Sequence, residues 1–179
     1  RYVCAACSSL SRAMRTTKRE VSCPMEIKKI PFTKEMKKDY TVLVPNMAPI
    51  HFEMLRAAFK ADGINAVLLS QTGSDVVETG LKYVHNDTCY PALLVIGQMI
   101  CALQSGEYDL SHTALMISQT GGGCRASNYI FLLRKALVAA GFADIPVISF
   151  NVSGLEKQNT GFKLHYMLIR RMLAAVVYG

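Results

Sequence analysis

Four short apolar runs, each followed by a segment with helical periodicity, constrain the fold of this chain more than any other feature of its sequence. The runs cover residues 40–44, 64–69, 114–118 and 146–150. Strands that are apolar along their whole length are typical of parallel sheets, because helices cover both faces of such a sheet. The pattern therefore predicts an α/β domain with four parallel strands and helices on both sides.

The order of these elements also predicts the topology and the place where a ligand binds. Right-handed crossovers restrict the arrangements of parallel strands, and we expect a flavodoxin-like, doubly wound sheet with the strand order 2-1-3-4. In this order the winding direction reverses between strands 1 and 3. Ligands of such sheets bind outside the carboxyl ends of the strands at that reversal. The segments after strands 1 and 3 are therefore the first candidates for a site.

Residues 88–106 form an uncharged stretch that is barely long enough to cross a membrane. Pro91 lies near its start, Gln98 and Gln104 interrupt its apolar residues, and acidic rather than basic residues flank it. These features predict a buried helix and no membrane association. The chain also opens without the pattern of a secretory signal, so we expect a cytoplasmic protein.

The positive charge of the chain is concentrated in its N-terminal part. Residues 1–39 contain ten Lys and Arg against four Asp and Glu, whereas the rest of the chain is nearly balanced, within a total of +7. Aromatic residues are scarce in the basic segment, which argues against nucleic-acid binding. We interpret residues 1–39 as a basic linker or the truncated end of a preceding region. Residues 40–179 are predicted to form the flavodoxin-like domain, as a fragment of a longer protein.

Six cysteines occur in the chain, and nothing in the sequence indicates export, so reduced thiols or metal ligands are favoured over disulfides. Cys4 and Cys7 form a CxxC pair that could be half of a metal site, with Cys23 as a third ligand. A second CxxC is missing, and the role of these three residues stays open. Cys101 lies among apolar residues and is predicted to be part of the core.

Cys89 and Cys124 are the cysteines that the predicted fold brings to the ligand-binding edge. Each lies at the start of a helix, where free N–H groups and the helix dipole favour a thiolate. Cys124 also follows three glycines, which allow the backbone to approach a bulky ligand closely. Such a pair suits an iron–sulfur cluster, whose sulfur atoms accept backbone N–H bonds. From spacing alone, both cysteines could equally be small buried apolar residues.

The loop of Gly121, Gly122 and Gly123 could instead hold a phosphate group, although it lacks the lysine of the GxxxxGKS/T motif and the full GxGxxG motif. Arg125 could offset the charge of a cluster or bind the phosphate of an acyl-CoA. It could also be a surface residue at a helix start.

Three segments of the sequence resemble one protein family: residues 86–91 (NDTCYP), 118–129 (SQTGGGCRASNY) and 151–156 (NVSGLE). They are similar to the 2-hydroxyacyl-CoA dehydratase-related proteins. The closest resemblance is to the acyl-CoA dehydratase activase-related chains, also described as CoA-substrate-specific enzyme activases, and to their double-cubane-cluster relatives. The resemblance covers residues 33–179.

The resemblance implies that a 4Fe–4S cluster or an 8Fe–9S double cubane is bound at the strand ends, with Cys89 and Cys124 as ligands. The family uses a third, late cysteine; none follows Cys124 here, so that ligand is expected beyond Gly179 and the fragment alone is expected to hold a cluster poorly. An ATP-dependent activase domain or subunit would deliver a low-potential electron. A second dehydratase-like subunit, a second copy of the chain and an acyl-CoA are further implied partners.

The expected function is therefore that of a fragment of an anaerobic, cluster-carrying electron acceptor, belonging to a dehydratase-like lyase or a double-cubane reductase. Two alternatives remain open at this point. One is a metal-free α/β module that docks an activase, and the other is a flavodoxin-like domain that binds phosphate or a small molecule. The substrate, the cluster type and whether dehydration occurs do not follow from the sequence.

Overall fold

A computed structural model describes residues 27, 29–85, 88–119, 125–150 and 166–178 of the chain. Its centre is an all-parallel sheet with the strand order β2-β1-β3-β4, which confirms the predicted flavodoxin-like order. The strands are β1 (Thr41–Pro45), β2 (Asn65–Leu69), β3 (Thr113–Ser118) and β4 (Val147–Phe150). Each lies within about one residue of its predicted apolar run.

Six α-helices surround the sheet in the described part of the chain: α1 (Met36–Asp39), α2 (Pro49–Ala61), α3 (Ser74–Tyr83), α4 (Tyr90–Gln104), α5 (Tyr129–Ala140) and α6 (Tyr166–Tyr178). Two short 3₁₀ turns, Leu110–His112 and Arg125–Asn128, precede β3 and α5. Proline lies in the first turn of α2 and of α4, where its missing N–H would have no partner in the helix.

The sheet separates two apolar clusters because successive side chains of a strand point to opposite faces. Leu43 and Leu115 pack on one face with residues of α4 and α5. Val42 and Met116 pack on the other face with residues of α2 and α6. We call these two packed regions the α4–α5 layer and the α2–α6 layer.

On the α4–α5 layer, the backbones of α3 and α4 approach each other closely. Gly80 of α3 faces Leu93 of α4, and a Cβ atom on Gly97 would clash with the carbonyl oxygen of Val76. Only glycine permits this approach of one helix backbone to another. Helix α4, formed by the uncharged stretch, has ten buried residues.

The α2–α6 layer covers its face of the sheet less completely. Leu168 of α6 is fully buried, as the helical periodicity predicts, but Leu173 and Val176 of the same predicted apolar face are 59% and 61% exposed. Among the residues described, none of the helices combines the length and apolar character needed to span a bilayer.

Packing also involves residues on the N-terminal side of the predicted domain start. Phe32 is 1% exposed and belongs to the apolar cluster of the α2–α6 layer. The Lys37 ammonium lies 2.9 Å from a carboxylate oxygen of Asp62, just after α2. The segment before β1 is therefore packed on the domain at these two positions.

Candidate functional site

Cys89 immediately precedes α4 and is the described residue that best fits the predicted cluster chemistry. Its backbone is extended (φ −62°, ψ 144°), as expected at a helix N-cap, and its side chain is half-buried against the α4–α5 layer. Its Sγ atom lies 3.1 Å from the hydroxyl oxygen of Tyr129, the first residue of α5. A hydrogen bond thus joins the starts of two helices.

The backbone around Cys89 differs in one respect from the expectation of free N–H groups. The N–H groups of Ala92 and Leu93 both donate to the carbonyl oxygen of Cys89 (3.0 and 3.3 Å), and Pro91 has no N–H. The first turn of α4 is therefore largely satisfied by its own cap residue. The hydroxyl of Tyr129 lies within hydrogen-bond distance of the sulfur, and either group can act as the donor.

Gln119 fixes the chain on either side of the glycine loop. Its Nε2 atom donates to the carbonyl oxygen of Ser127 at 3.0 Å, and its Oε1 atom accepts a hydrogen bond from the Ser149 hydroxyl. The end of β3, strand β4 and the 3₁₀ turn before α5 are therefore connected through one buried amide. The Gln119 side chain is therefore committed to an internal network.

Gln98 also connects separate segments at the carboxyl ends of the strands, here those of β1 and β2. This role was not predicted from the sequence. Gln98 is 7% exposed in the middle of α4. Its Nε2 atom donates to the carbonyl oxygens of Leu69 (3.3 Å) and Gln71 (2.7 Å), and its Oε1 atom accepts from the N–H of Asn46 (3.2 Å). The presence of a single amide side chain within an apolar helix could have predicted this role, because a buried amide needs hydrogen-bond partners.

Most of the other predicted site residues lie outside the part of the chain that the structure describes. Cys124, Gly121, Gly122 and Gly123 lie outside the described residues, and Arg125 begins the 3₁₀ turn before α5. The pairing of Cys89 with Cys124 therefore stays a prediction. Cys4, Cys7 and Cys23 also lie outside the described part.

Within the described ranges, the side chains of His, Cys, Asp and Glu form no group of three or more that could hold a metal ion. Neither Cys89 nor Cys101 forms a disulfide among the described residues. Cys101 is half-buried rather than in the core as predicted, because it faces α3, where its Sγ atom donates to the Thr79 hydroxyl at 3.2 Å.

Comparison with known proteins adds no relative to this picture: no family model, no curated protein and no solved structure matches the chain.

Proposed function

We propose that the chain is part of an iron–sulfur-carrying, 2-hydroxyacyl-CoA dehydratase-like component that accepts a low-potential electron from an ATP-dependent activase in the cytoplasm. The observation that supports this function is the position of the Cys89 thiol. It lies at the start of α4, next to the hydroxyl of Tyr129, and Tyr129 follows Cys124 by five residues. The start of α5, which follows Cys124 in the sequence, thus lies next to Cys89.

The chemistry of Cys89 fits a cluster ligand. Thiolates are the usual ligands of iron–sulfur clusters, and hydrogen bonds to the ligand sulfur tune the reduction potential. Here the Tyr129 hydroxyl lies within hydrogen-bond distance of the sulfur, and apolar residues of the α4–α5 layer restrict the access of water to it. A bound cluster would supply one-electron transfer.

The remaining residues of this region have positioning roles in the proposal. Gln119 holds the 3₁₀ turn before α5 through its bond to Ser127. Arg125, directly after Cys124, would offset part of the negative charge of a cluster and its thiolates.

The test is anaerobic reconstitution of the longest natural form of the protein that contains this chain. We expect bound iron and sulfide in a ratio near one, and the loss of most of the iron in Cys89→Ala and in Cys124→Ala. Cys101→Ala is the matched control, because that thiol faces α3 rather than Tyr129, and it should keep its iron. Full iron content in both the Cys89 and the Cys124 variants would overturn the proposal.

Tyr129→Phe separates a ligand role of Cys89 from simple packing. If the hydroxyl donates to a ligand sulfur, its removal should lower the reduction potential of the reconstituted cluster while the iron content stays unchanged. An unchanged potential would mean that the Tyr129 hydroxyl does not act on a cluster ligand.

A further inference from the structure

A cavity of about 560 Å³ lies between the loops that follow β1 and β2 and the first half of α4. Its apolar wall includes Val76 and Val77 from α3 and Leu94 and Val95 from α4. This volume is within the range of small-molecule sites, which are mostly apolar with a few polar groups. The cavity lies outside the carboxyl ends of β1 and β2, on the edge of the sheet at which ligands of such folds bind.

Two amide side chains of the cavity wall have unused hydrogen-bonding capacity. The Oδ1 atom of Asn46 and the Oε1 atom of Gln71 are buried, and neither has a hydrogen-bond partner among the described residues. Buried amide oxygens are almost always paired, because leaving one unpaired destabilises the fold. The neighbouring amide of Gln98 illustrates the usual case, with all of its bonds made to the strand loops.

The composition of the wall also restricts the charge of a ligand. The residues that line the cavity are all uncharged. A phosphate or carboxylate group would lose its hydration in this space without gaining a counter-ion, which is unfavourable. A neutral ligand does not meet this penalty.

We propose that this cavity binds a neutral, mostly apolar small molecule that carries N–H or O–H donors. The terminal torsion of an amide side chain rotates broadly, so small rotations of Asn46 and Gln71 would turn their oxygens toward such donors. The site is independent of the proposed cluster. Tyr90 and Pro91 line the cavity, whereas the thiol of Cys89 before them faces Tyr129.

The experiment is a titration of the 179-residue chain, labelled at its Val and Leu methyl groups, followed by NMR. The probe is acetanilide, which combines a phenyl ring with one N–H donor, and the comparison probes are benzoate and inorganic phosphate. We expect saturable shifts of the Val77, Leu94 and Val95 methyl signals with acetanilide, and at least about tenfold weaker binding of either anion. The absence of saturable shifts, or equal binding of benzoate, contradicts the proposal.

Matched variants locate the binding. Val77→Phe fills the cavity and should abolish the response to acetanilide, whereas Leu81→Phe, at an exposed position of the same helix, should preserve it. Cys89→Ala should leave acetanilide binding unchanged. Failure of the cluster proposal would therefore not affect the test of the cavity, and failure of the cavity proposal would not affect the test of the cluster. Binding that survives in Val77→Phe places the probe elsewhere and overturns the assignment.

Gln71→Met tests the role of the unpaired amide. It keeps the length of the side chain and removes the buried oxygen, so we expect a higher midpoint of thermal unfolding together with about tenfold weaker acetanilide binding. A purely structural role of the Gln71 side chain predicts lower stability and unchanged binding, and that outcome would refute this part of the proposal.

Discussion

The α4–α5 layer and the α2–α6 layer cover opposite faces of one sheet, yet they bury their apolar residues to very different extents. Helix α4 buries ten of its residues. Helix α6 buries Leu168 and Ala175, whereas Leu173 and Val177 are 59% and 73% exposed. Helical periodicity is present in both layers. The comparison teaches that periodicity determines which face of a helix is apolar, while the neighbouring elements determine how much of that face is covered.

The largest effects are expected from truncations in the core, and they test whether the two layers differ in rigidity. Ile96 and Leu168 are both fully buried, one in each layer. We expect Ile96→Ala to lower the free energy of unfolding by about 4 kcal/mol, and Leu168→Ala by only about 2 kcal/mol, because the less enclosed α6 can shift to fill the cavity. Denaturant unfolding of both variants measures the difference, and equal losses would contradict it.

The contact between α3 and α4 provides the next test, since helices α2 and α6 contain no glycine. Gly97→Val places a side chain against the backbone of Val76 and Gly80, and we expect a loss of about 3 kcal/mol in the free energy of unfolding. The control is Ala57→Val at an exposed position of α2, which should cost only about 0.5 kcal/mol through helix propensity. Similar losses of unfolding free energy in the two variants would show that α3 and α4 can move apart at little cost.

Gln98→Met asks whether the amide within the α4–α5 layer is needed for the loops at the strand ends. The substitution keeps the side-chain length but leaves the N–H of Asn46 and the carbonyl oxygens of Leu69 and Gln71 without their present partner. We expect a loss of about 2 kcal/mol in the free energy of unfolding. Amide hydrogen exchange should also become faster at Asn46, and unchanged protection there would argue against the role we assign to Gln98.

The exposed face of α6 should tolerate charge, in contrast to every buried position above. We expect Leu173→Lys to change the free energy of unfolding by at most about 0.5 kcal/mol, because the side chain is 59% exposed. Circular dichroism during thermal unfolding measures this. A loss as large as that of Leu168→Ala would mean that Leu173 is covered in solution. The two layers would then differ less in how far their apolar residues are buried.

The smallest effect concerns the turn between α4 and β3. The hydrogen bond from His112, together with those from the side chain and backbone of Ser111, lowers the pKa of Asp109 to about 2. A lowered pKa in the folded state means that the carboxylate contributes stability above its unfolded pKa, near 4. This contribution should disappear as the pH falls through about 2. NMR titration of the Asp109 carboxyl measures the midpoint, which should rise in Ser111→Ala.

The sequence was sufficient to predict the sheet because the strands are apolar along their whole length. Each residue from Val42 to Val44 is buried whichever face it points to, so a continuous run marks the strand without ambiguity. The handedness of the crossovers restricted the possible strand orders, and the flavodoxin-like order chosen among them is the one observed. These are properties of short segments and of chain geometry, and they can be read from local patterns.

The features that were missed depend on contacts between distant residues. Gln98 looked like an interruption of an apolar helix, because nothing local indicates that it contacts residues 27 to 52 positions away. The exposure of Leu173 depends in the same way on what surrounds α6. For the candidate site, the sequence placed Cys89 at a helix start, but its contact with Tyr129 joins residues 40 positions apart and required the fold.

Helix α4 carries Cys89 at its start, part of the cavity wall in its first turns and Gln98 at its middle. A helix moves as a unit, so any tilt of α4 displaces the thiol and the cavity together. Protein engineering that aims to alter one of these sites without the other must therefore act from neighbouring elements. A substitution of Tyr129 on α5 would alter the surroundings of the thiol, and a substitution of Val77 on α3 would alter the cavity.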